Sequence, residues 1–467
     1  VSNVLLRHDM TAGDVTLGDG FTLAGRTERW VEPLSLGLLA LTILYATVGL
    51  PGLDSGDTAD TNHVNPLNSQ IWLALLLLGL PVLIRRWRAA LALATANRAL
   101  LALMAYFALS TTWALDPSSS VRRLLFMLVQ FLVLTAALTG IRRSPSVHVV
   151  IAAVCTIAAT ADLAWWIAAP GAAVAEDGFT GLQTQKNQTG LLMMYGCLAS
   201  CPCVFLLRRR LWQAALAAGT MVTAALLVAT RSTTSQSVVI AGAVVMPLLL
   251  VVARLPRRFI LAIAAVAVLL PAAALLGDLA WCGVTGQDPL LPLRGVTVSE
   301  RTPIWQLVIS EIAKRPWLGA GYSSFWAIDP AVQPSLKSGP ALGVFSMINE
   351  GHEGYLDLLA TGGIVGLTGG LFILLRAIVL GGRAVATTRA PALAWRDGDM
   401  ARPTAIFHLA FLLGLMVHNF TESNLFTNSG LLAVAFMLCL LDLEKWRLGR
   451  RASVGARQSA RMSWGTR

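Results

Sequence analysis

The sequence predicts an all-α, polytopic membrane protein of about twelve transmembrane helices, with one large outer loop containing short helices. Three observations predict it. Only 13% of the 467 residues are charged and 55% are hydrophobic, whereas about a quarter of an ordinary soluble domain is charged. Apolar windows of about 20 residues, enough to cross about 30 Å of hydrocarbon, recur along nearly the whole chain. The basic residues behind the formal net charge of +11 fall in short clusters between alternate windows. Membrane orientation explains that distribution better than nucleic-acid binding does, so the expected surroundings are a lipid bilayer and no nucleic acid.

Residues 1–32 form an N-terminal tail with Arg7, Asp9, Asp14, Asp19, Arg26, Glu28, Arg29 and Glu32 and no apolar core. No cleavable signal peptide is expected there, and the first span is expected to serve as an uncleaved targeting signal. Residues 33–276 read as a bundle of nine spans, at 33–50, 70–84, 99–113, 123–140, 147–169, 187–207, 211–229, 236–253 and 259–276. Residues 277–353 form the outer loop, and 354–444 hold three more spans at 354–375, 403–418 and 428–441. Residues 445–467 are a basic, Arg- and Ser-rich tail expected to be disordered. If the spans alternate, the clusters at Arg85–Arg88, Arg142–Arg143, Arg208–Arg210, Arg254–Arg258, Arg376–Arg396 and Lys445–Arg451 share one side. The positive-inside rule makes that side cytoplasmic, with both termini on it. Cysteines 155, 197, 201, 203 and 439 fall within spans and Cys282 in an outer loop, which is no disulfide framework. Cys197 and Cys201 share a helical face and read as buried small apolar residues ahead of a soft-metal pair.

The outer loop is long enough to suggest a function. Within it Thr302 is expected to cap a short helix with Pro303 at its first position, Ile304, Trp305, Val308, Ile309 and Ile312 on one face, and Pro316 ending it. Such a helix lies at the membrane surface, lids a cavity, or packs on the span tops.

Cations recur on the outer side at span ends: Arg122 and Arg123 open the fourth span, Lys186 precedes the sixth, Arg231 follows the seventh, and Arg301 stands in the loop. Three non-adjacent helices can thus aim positive charge at one outer cavity. A guanidinium fork suits phosphate oxygens, although each of these residues can equally snorkel to headgroups. In Gly351-His352-Glu353-Gly354-Tyr355-Leu356-Asp357 a single imidazole stands where the polar loop meets an apolar helix. An imidazole can take a proton at neutral pH, or merely start a helix. His418, followed by Glu422, ends the eleventh span and can line the same cavity or pack at the interface. Asp162, a carboxylate in the fifth span, should face protein or water and is a weaker candidate.

Several local sequences together resemble the O-antigen ligase and O-antigen polymerase superfamily, over about residues 100 to 440. Arg315-Pro316-Trp317-Leu318-Gly319-Ala320-Gly321-Tyr322, then His352, then Tyr355-Leu356-Asp357 running on to Thr361-Gly362-Gly363-Ile364-Val365-Gly366, is similar to the family's signature domain. Trp113-Ala114-Leu115-Asp116-Pro117 with Ser120 and Arg122-Arg123, and Gly181 to Gly190 around Lys186-Asn187, resemble two further family patterns. The resemblance implies a glycosyltransferase of the bacterial inner membrane, active at the periplasmic face. It implies a glycan carried on undecaprenyl pyrophosphate, a polysaccharide or lipid A core hydroxyl as acceptor, and no metal or other cofactor. It also implies that His352 is the base and that Arg301 holds the leaving pyrophosphate; the span-end cations Arg231, Lys186, Arg122 and Arg123 are candidates for further pyrophosphate contacts. Glu353, Tyr355, His418 and Glu422 are candidates for the acceptor side. Glu353 stands where many relatives have asparagine, Gln185 where many have histidine, and Arg231 precedes Ser232 where many have a basic residue after the serine. The Tyr355-Leu356-Asp357 form looks more like exopolysaccharide polymerases than ligases acting on lipid A core. A lipid-linked oligosaccharide flippase or other transporter is the alternative from another class; it usually carries ionisable groups or broken helices near the midplane, which most of these span centres lack.

Overall fold

In the computed structural model, residues 29–49, 66–183, 185–252, 301–337, 351–388, 400–426 and 430–464 are described. Before the long loop come α1 (Val31–Val48), α2 (Pro66–Arg85), α3 (Trp87–Ala96), α4 (Arg98–Ser110), α5 (Pro117–Gly140), α6 (Ser144–Ala168), α7 (Lys186–Cys203), α8 (Arg210–Ala229) and α9 (Thr233–Val252). Helix α10 (Thr302–Lys314) belongs to the loop, and α11 (Gly354–Thr387), α12 (Arg402–His418) and α13 (Leu431–Trp464) follow it. One small antiparallel hairpin, β1 (Val174–Ala175) with β2 (Gly178–Phe179), leads towards α7. The protein is all-α and polytopic. Among the described residues seven helices are long and apolar enough to cross a membrane, or eight if the pair α3–α4, bent by 83°, counts as one span. The expected ninth span at 259–276 lies outside the described residues.

Polar contacts collect at the two ends of the bundle. At one end Lys445 Nζ donates to the Ile141 carbonyl at 2.5 Å, Ser144 Oγ to Asp442 at 2.8 Å, and Arg447 to Glu444 at 2.5 Å. Arg376 also pairs with Glu444, and the Arg142 N–H donates to Glu32 at 3.4 Å. Arg142, Arg376, Lys445 and Arg447 therefore lie at one end of the bundle. The opposite end holds the loop segments that surround His352.

Three sequence segments interlock at that opposite end, and their backbone groups explain why. Helix α11 breaks at Gly363, whose φ is 61°. A break frees carbonyls before it and N–H groups after it, and in an apolar setting each needs a partner. Residues 316–321 supply them: Ala320 and Gly321 N–H donate to the carbonyls of Ala360 and Thr361 at 2.8 and 3.0 Å. In return Ile364 and Val365 N–H donate to the carbonyls of Pro316 and Trp317 at 2.9 and 3.3 Å. The two backbones touch so closely that a Cβ on Gly363 would lie 2.2 Å from the Trp317 carbonyl oxygen, and one on Gly319 would lie 2.5 Å from the Gly363 nitrogen. Tyr106 Oη closes the seam on the carbonyls of Leu318 and Gly362, at 3.1 and 2.7 Å.

The third segment is the start of α5. Asp116 caps it, accepting from the Ser119 N–H at 3.1 Å and from Ser118 Oγ at 2.6 Å. Burial alone would raise the Asp116 carboxyl, but these bonds and one from the Asp329 N–H outweigh it and hold the group well below its ordinary range. Leu115 N–H reaches the Ala320 carbonyl at 3.0 Å, and Ser120 Oγ the Tyr322 carbonyl at 2.7 Å.

Several expectations are corrected. Arg301, not Thr302, occupies the N-cap of α10 and makes no side-chain cap bond; Thr302 and Pro303 both lie inside the first turn. The buried face of α10 is Ile304, Leu307 and Val308, while Ile309 is 55% exposed. The 34 residues of α11 extend well past the span expected at 354–375. The stretch 364–387 after the break is about 36 Å long, itself enough to cross about 30 Å of hydrocarbon, which leaves Gly354–Gly362 as a half-helix packed against α10. The tail from 445 is helical to Trp464 because α13 continues through it. Ahead of the expected third span, α3 is helical across residues read as a loop.

Candidate active site

The His352 backbone has a φ of 50°, left-handed geometry that costs a non-glycine residue roughly 1–2 kcal/mol. Neighbouring groups pin it there. Trp305 Nε1 on α10 donates to the Gly351 carbonyl at 2.9 Å, and the Gly351 N–H donates to Asp357 Oδ2 at 2.9 Å. On the other side Glu353 caps α11 by accepting from the Leu356 N–H. The imidazole, 30% exposed, places Nδ1 3.4 Å from Glu422 Oε2. An ionised carboxylate can only accept, so in the neutral ring Nδ1 carries the proton and Nε2 keeps its lone pair. Arg301 completes the cluster, with Nη1 on the Thr421 carbonyl at 2.6 Å and Nη2 3.5 Å from Glu422 Oε1. Burial by itself would raise the Glu422 carboxyl, but the hydrogen bond and charge of His352 and the charges of Arg301 and His418 prevail and leave it lowered, hence ionised.

A cavity of about 420 Å³ opens beside this cluster. Glu422, His418 and Asp357 line one side of it. The ends of α7 and α9 line another, with Gln185, Asn187 and Gln188 facing Ser232, Thr234 and Ser235, and Arg123 also contributes. The Arg123 guanidinium is held by the carbonyls of Ser323, Trp326 and Ala327, which occupy three of its five N–H donors and leave two.

The other expected residues distribute unevenly. Lys186 pairs with Asp177 at 3.0 Å, and Arg231 is exposed near the same carboxylate. Lys186 and then Arg231 lower the Asp177 carboxyl. Both cations thus stand next to cavity-lining residues without lining the cavity themselves. Arg122 is exposed and reaches only Ser119 Oγ, at 3.4 Å. On the acceptor side, buried His418 bonds Asn424 at 3.1 Å. Tyr355 Oη is taken by the Met416 carbonyl at 2.7 Å, and Glu353 by its capping role. Burial raises the Glu353 carboxyl to about 7, with the Leu356 N–H opposing and the Asp357 charge adding to the rise. Asp162 accepts from the Leu182 N–H at 2.8 Å and so fixes the turn before α7. Among the described residues, no group of three or more His, Cys, Asp or Glu side chains converges as metal ligands would.

A bundle of apolar helices with an imidazole–carboxylate–guanidinium cluster beside an end cavity defines a multi-pass membrane protein suited to proton transfer next to an anionic group. Residues 218–370 match the model of a family described as O-antigen ligase. That match supports membership of the O-antigen ligase superfamily and a ligase- or polymerase-type, glycosyltransferase-like role in cell-surface glycan biosynthesis. No curated protein matches the chain. The matched stretch includes Arg231, Arg301, His352, Glu353, Tyr355 and Asp357; Arg122, Arg123 and Lys186 precede it, and His418 and Glu422 follow it.

Proposed function

We propose that the protein moves a glycan from an undecaprenyl-pyrophosphate carrier to an acceptor hydroxyl at the periplasmic face of the bacterial inner membrane, without a metal or nucleotide cofactor. The observation that carries this reading is the His352–Glu422–Arg301 cluster beside a polar cavity flanked by further cations. The acceptor oxygen attacks the anomeric carbon of the donor sugar. The bond from that carbon to the carrier oxygen breaks, and its electron pair leaves with the pyrophosphate. His352 Nε2 takes the hydroxyl proton, and Glu422 stabilises the imidazolium that forms. Arg301, supported by Arg123 and the nearby Lys186 and Arg231, answers the charge that develops on the departing group. Polymerisation of lipid-linked repeat units is favoured over transfer to lipid A core by the form of Tyr355-Leu356-Asp357 alone.

The break in α11 is a feature also found in transporters. Here its freed backbone groups are closed by residues 316–321, which supports a fixed scaffold rather than a moving gate. The test is to incubate purified protein with a lipid-linked glycan and resolve products by gel. A ladder supports polymerase, a single addition to supplied lipid A core supports ligase, and absence of either product refutes the proposal.

A further inference from the structure

One carboxylate ties together three segments that each bear part of the site. Asp357, on the half-helix of α11, accepts at Oδ2 from the Gly351 N–H at 2.9 Å and from Ser423 Oγ at 2.5 Å, and at Oδ1 from Trp326 Nε1 at 2.8 Å. Gly351 precedes His352, and Ser423 follows Glu422. Trp326 belongs to the loop whose carbonyls hold Arg123. The approach to Gly351 is so close that a Cβ there would lie 2.4 Å from Asp357 Oδ1. Asp357 also lines the cavity.

We infer that Asp357 is a positioning residue for glycan transfer, setting the His352 loop and the Glu422 loop in register so that Nδ1 meets the Glu422 carboxylate and Nε2 keeps the lone pair that takes the acceptor proton. Its action passes through His352, so the inference rests on the reading of His352 as the base. A misplacement of the base by about 1 Å is enough to slow turnover about 100-fold. Asparagine tests the geometry finely. With its oxygen in the Oδ2 position it keeps the bonds from Gly351 and Ser423, while the indole N–H of Trp326 faces another donor.

The experiment is steady-state glycan transfer by purified full-length variants in detergent, reading kcat and the KM for a lipid-linked glycan separately. Asp357→Ala is expected to lower kcat about 10- to 100-fold with KM little changed, and Asp357→Asn to recover most of the loss. Added to His352→Ala, Asp357→Ala is expected to cost nothing further, since the two act through one group. Gly351→Ala, which keeps the carboxylate and displaces only the contact, should reproduce the kcat defect, and it keeps the inference testable if Asp357→Ala does not fold. Wild-type kcat in Asp357→Ala or Gly351→Ala overturns it, as does a further loss in the His352→Ala background or an asparagine no better than alanine. His352→Ala at the wild-type rate instead refutes the base reading itself, whereas an inactive His352→Ala beside a fully active Asp357→Ala refutes this inference alone.

Discussion

Replacing Glu422 by glutamine changes neither size nor shape, yet it removes what the carboxylate does for both of its partners. Glu422 Oε2 is 3.4 Å from His352 Nδ1, and Oε1 is 3.5 Å from Arg301 Nη2. An amide has one acceptor end and one donor end, so two arrangements are open to it. If the amide nitrogen faces His352, it donates to Nδ1, the ring proton moves to Nε2, and the lone pair needed to take the acceptor proton is lost. If it faces Arg301, two donors oppose each other and the guanidinium is displaced. Either way the developing imidazolium loses its negative neighbour. The loss is bounded by the contribution of a positioned base, about 10²- to 10⁴-fold in kcat. In the first arrangement KM should change little, because Arg301 retains its 2.6 Å bond to the Thr421 carbonyl; in the second KM should rise as well. The assay is initial-rate transfer from a purified lipid-linked glycan, with folded protein quantified by size exclusion. A Glu422→Gln enzyme within about twofold of wild type would show that the pairing with His352 has no part in the chemistry.

Three further outcomes are expected. Arg301→Lys should turn over at least about tenfold more slowly, because an ammonium cannot hold Thr421 and Glu422 and still offer a fork to phosphate; full activity in the same assay would favour a general electrostatic role. Gly363→Ala should lower thermal stability by more than about 2 kcal/mol, since its Cβ would meet the Trp317 oxygen at 2.2 Å in a left-handed backbone; Gly382→Ala, with nothing within 4 Å, should be neutral or mildly stabilising by thermal scanning fluorimetry. For Glu353, the folded value of about 7 lies above the ordinary 4.5, so its contribution to stability is full below 4.5 and is lost as pH rises through 7. Glutamine can still accept from Leu356, so Glu353→Gln should gain on wild type above pH 7 by at most about 3 kcal/mol, and parallel stability curves from pH 5 to 8 would contradict this.

Hydropathy marked α1, α2 and α5 to α9 in the sequence because a span must be apolar along its whole length whatever its neighbours are. The break at Gly363 was not legible, since the apolar run continues through it and only the docking of residues 316–321 reveals why a helix can open there. Periodicity found α10 but turned its face, placing Ile309 inward, because it cannot say which side of a short amphipathic helix meets the half-helix of α11. His352 and Arg301 could be singled out by residue type and position. The pairing of His352 with Glu422, 70 residues away, could not, because it depends on how the end of α12 meets the start of α11. Arg122 and Arg123 look alike in sequence, yet one turn of α5 leaves the first exposed and puts the second under three carbonyls of the loop.

The proposed chemistry turns on the imidazole at residue 352. The direct measurement is the rate at which a folded, membrane-inserted His352→Ala protein transfers glycan from its lipid carrier, read beside its binding of the same donor. Turnover is expected to fall by about two to four orders of magnitude with donor binding retained, and a rate near wild type would rule out His352 as the base.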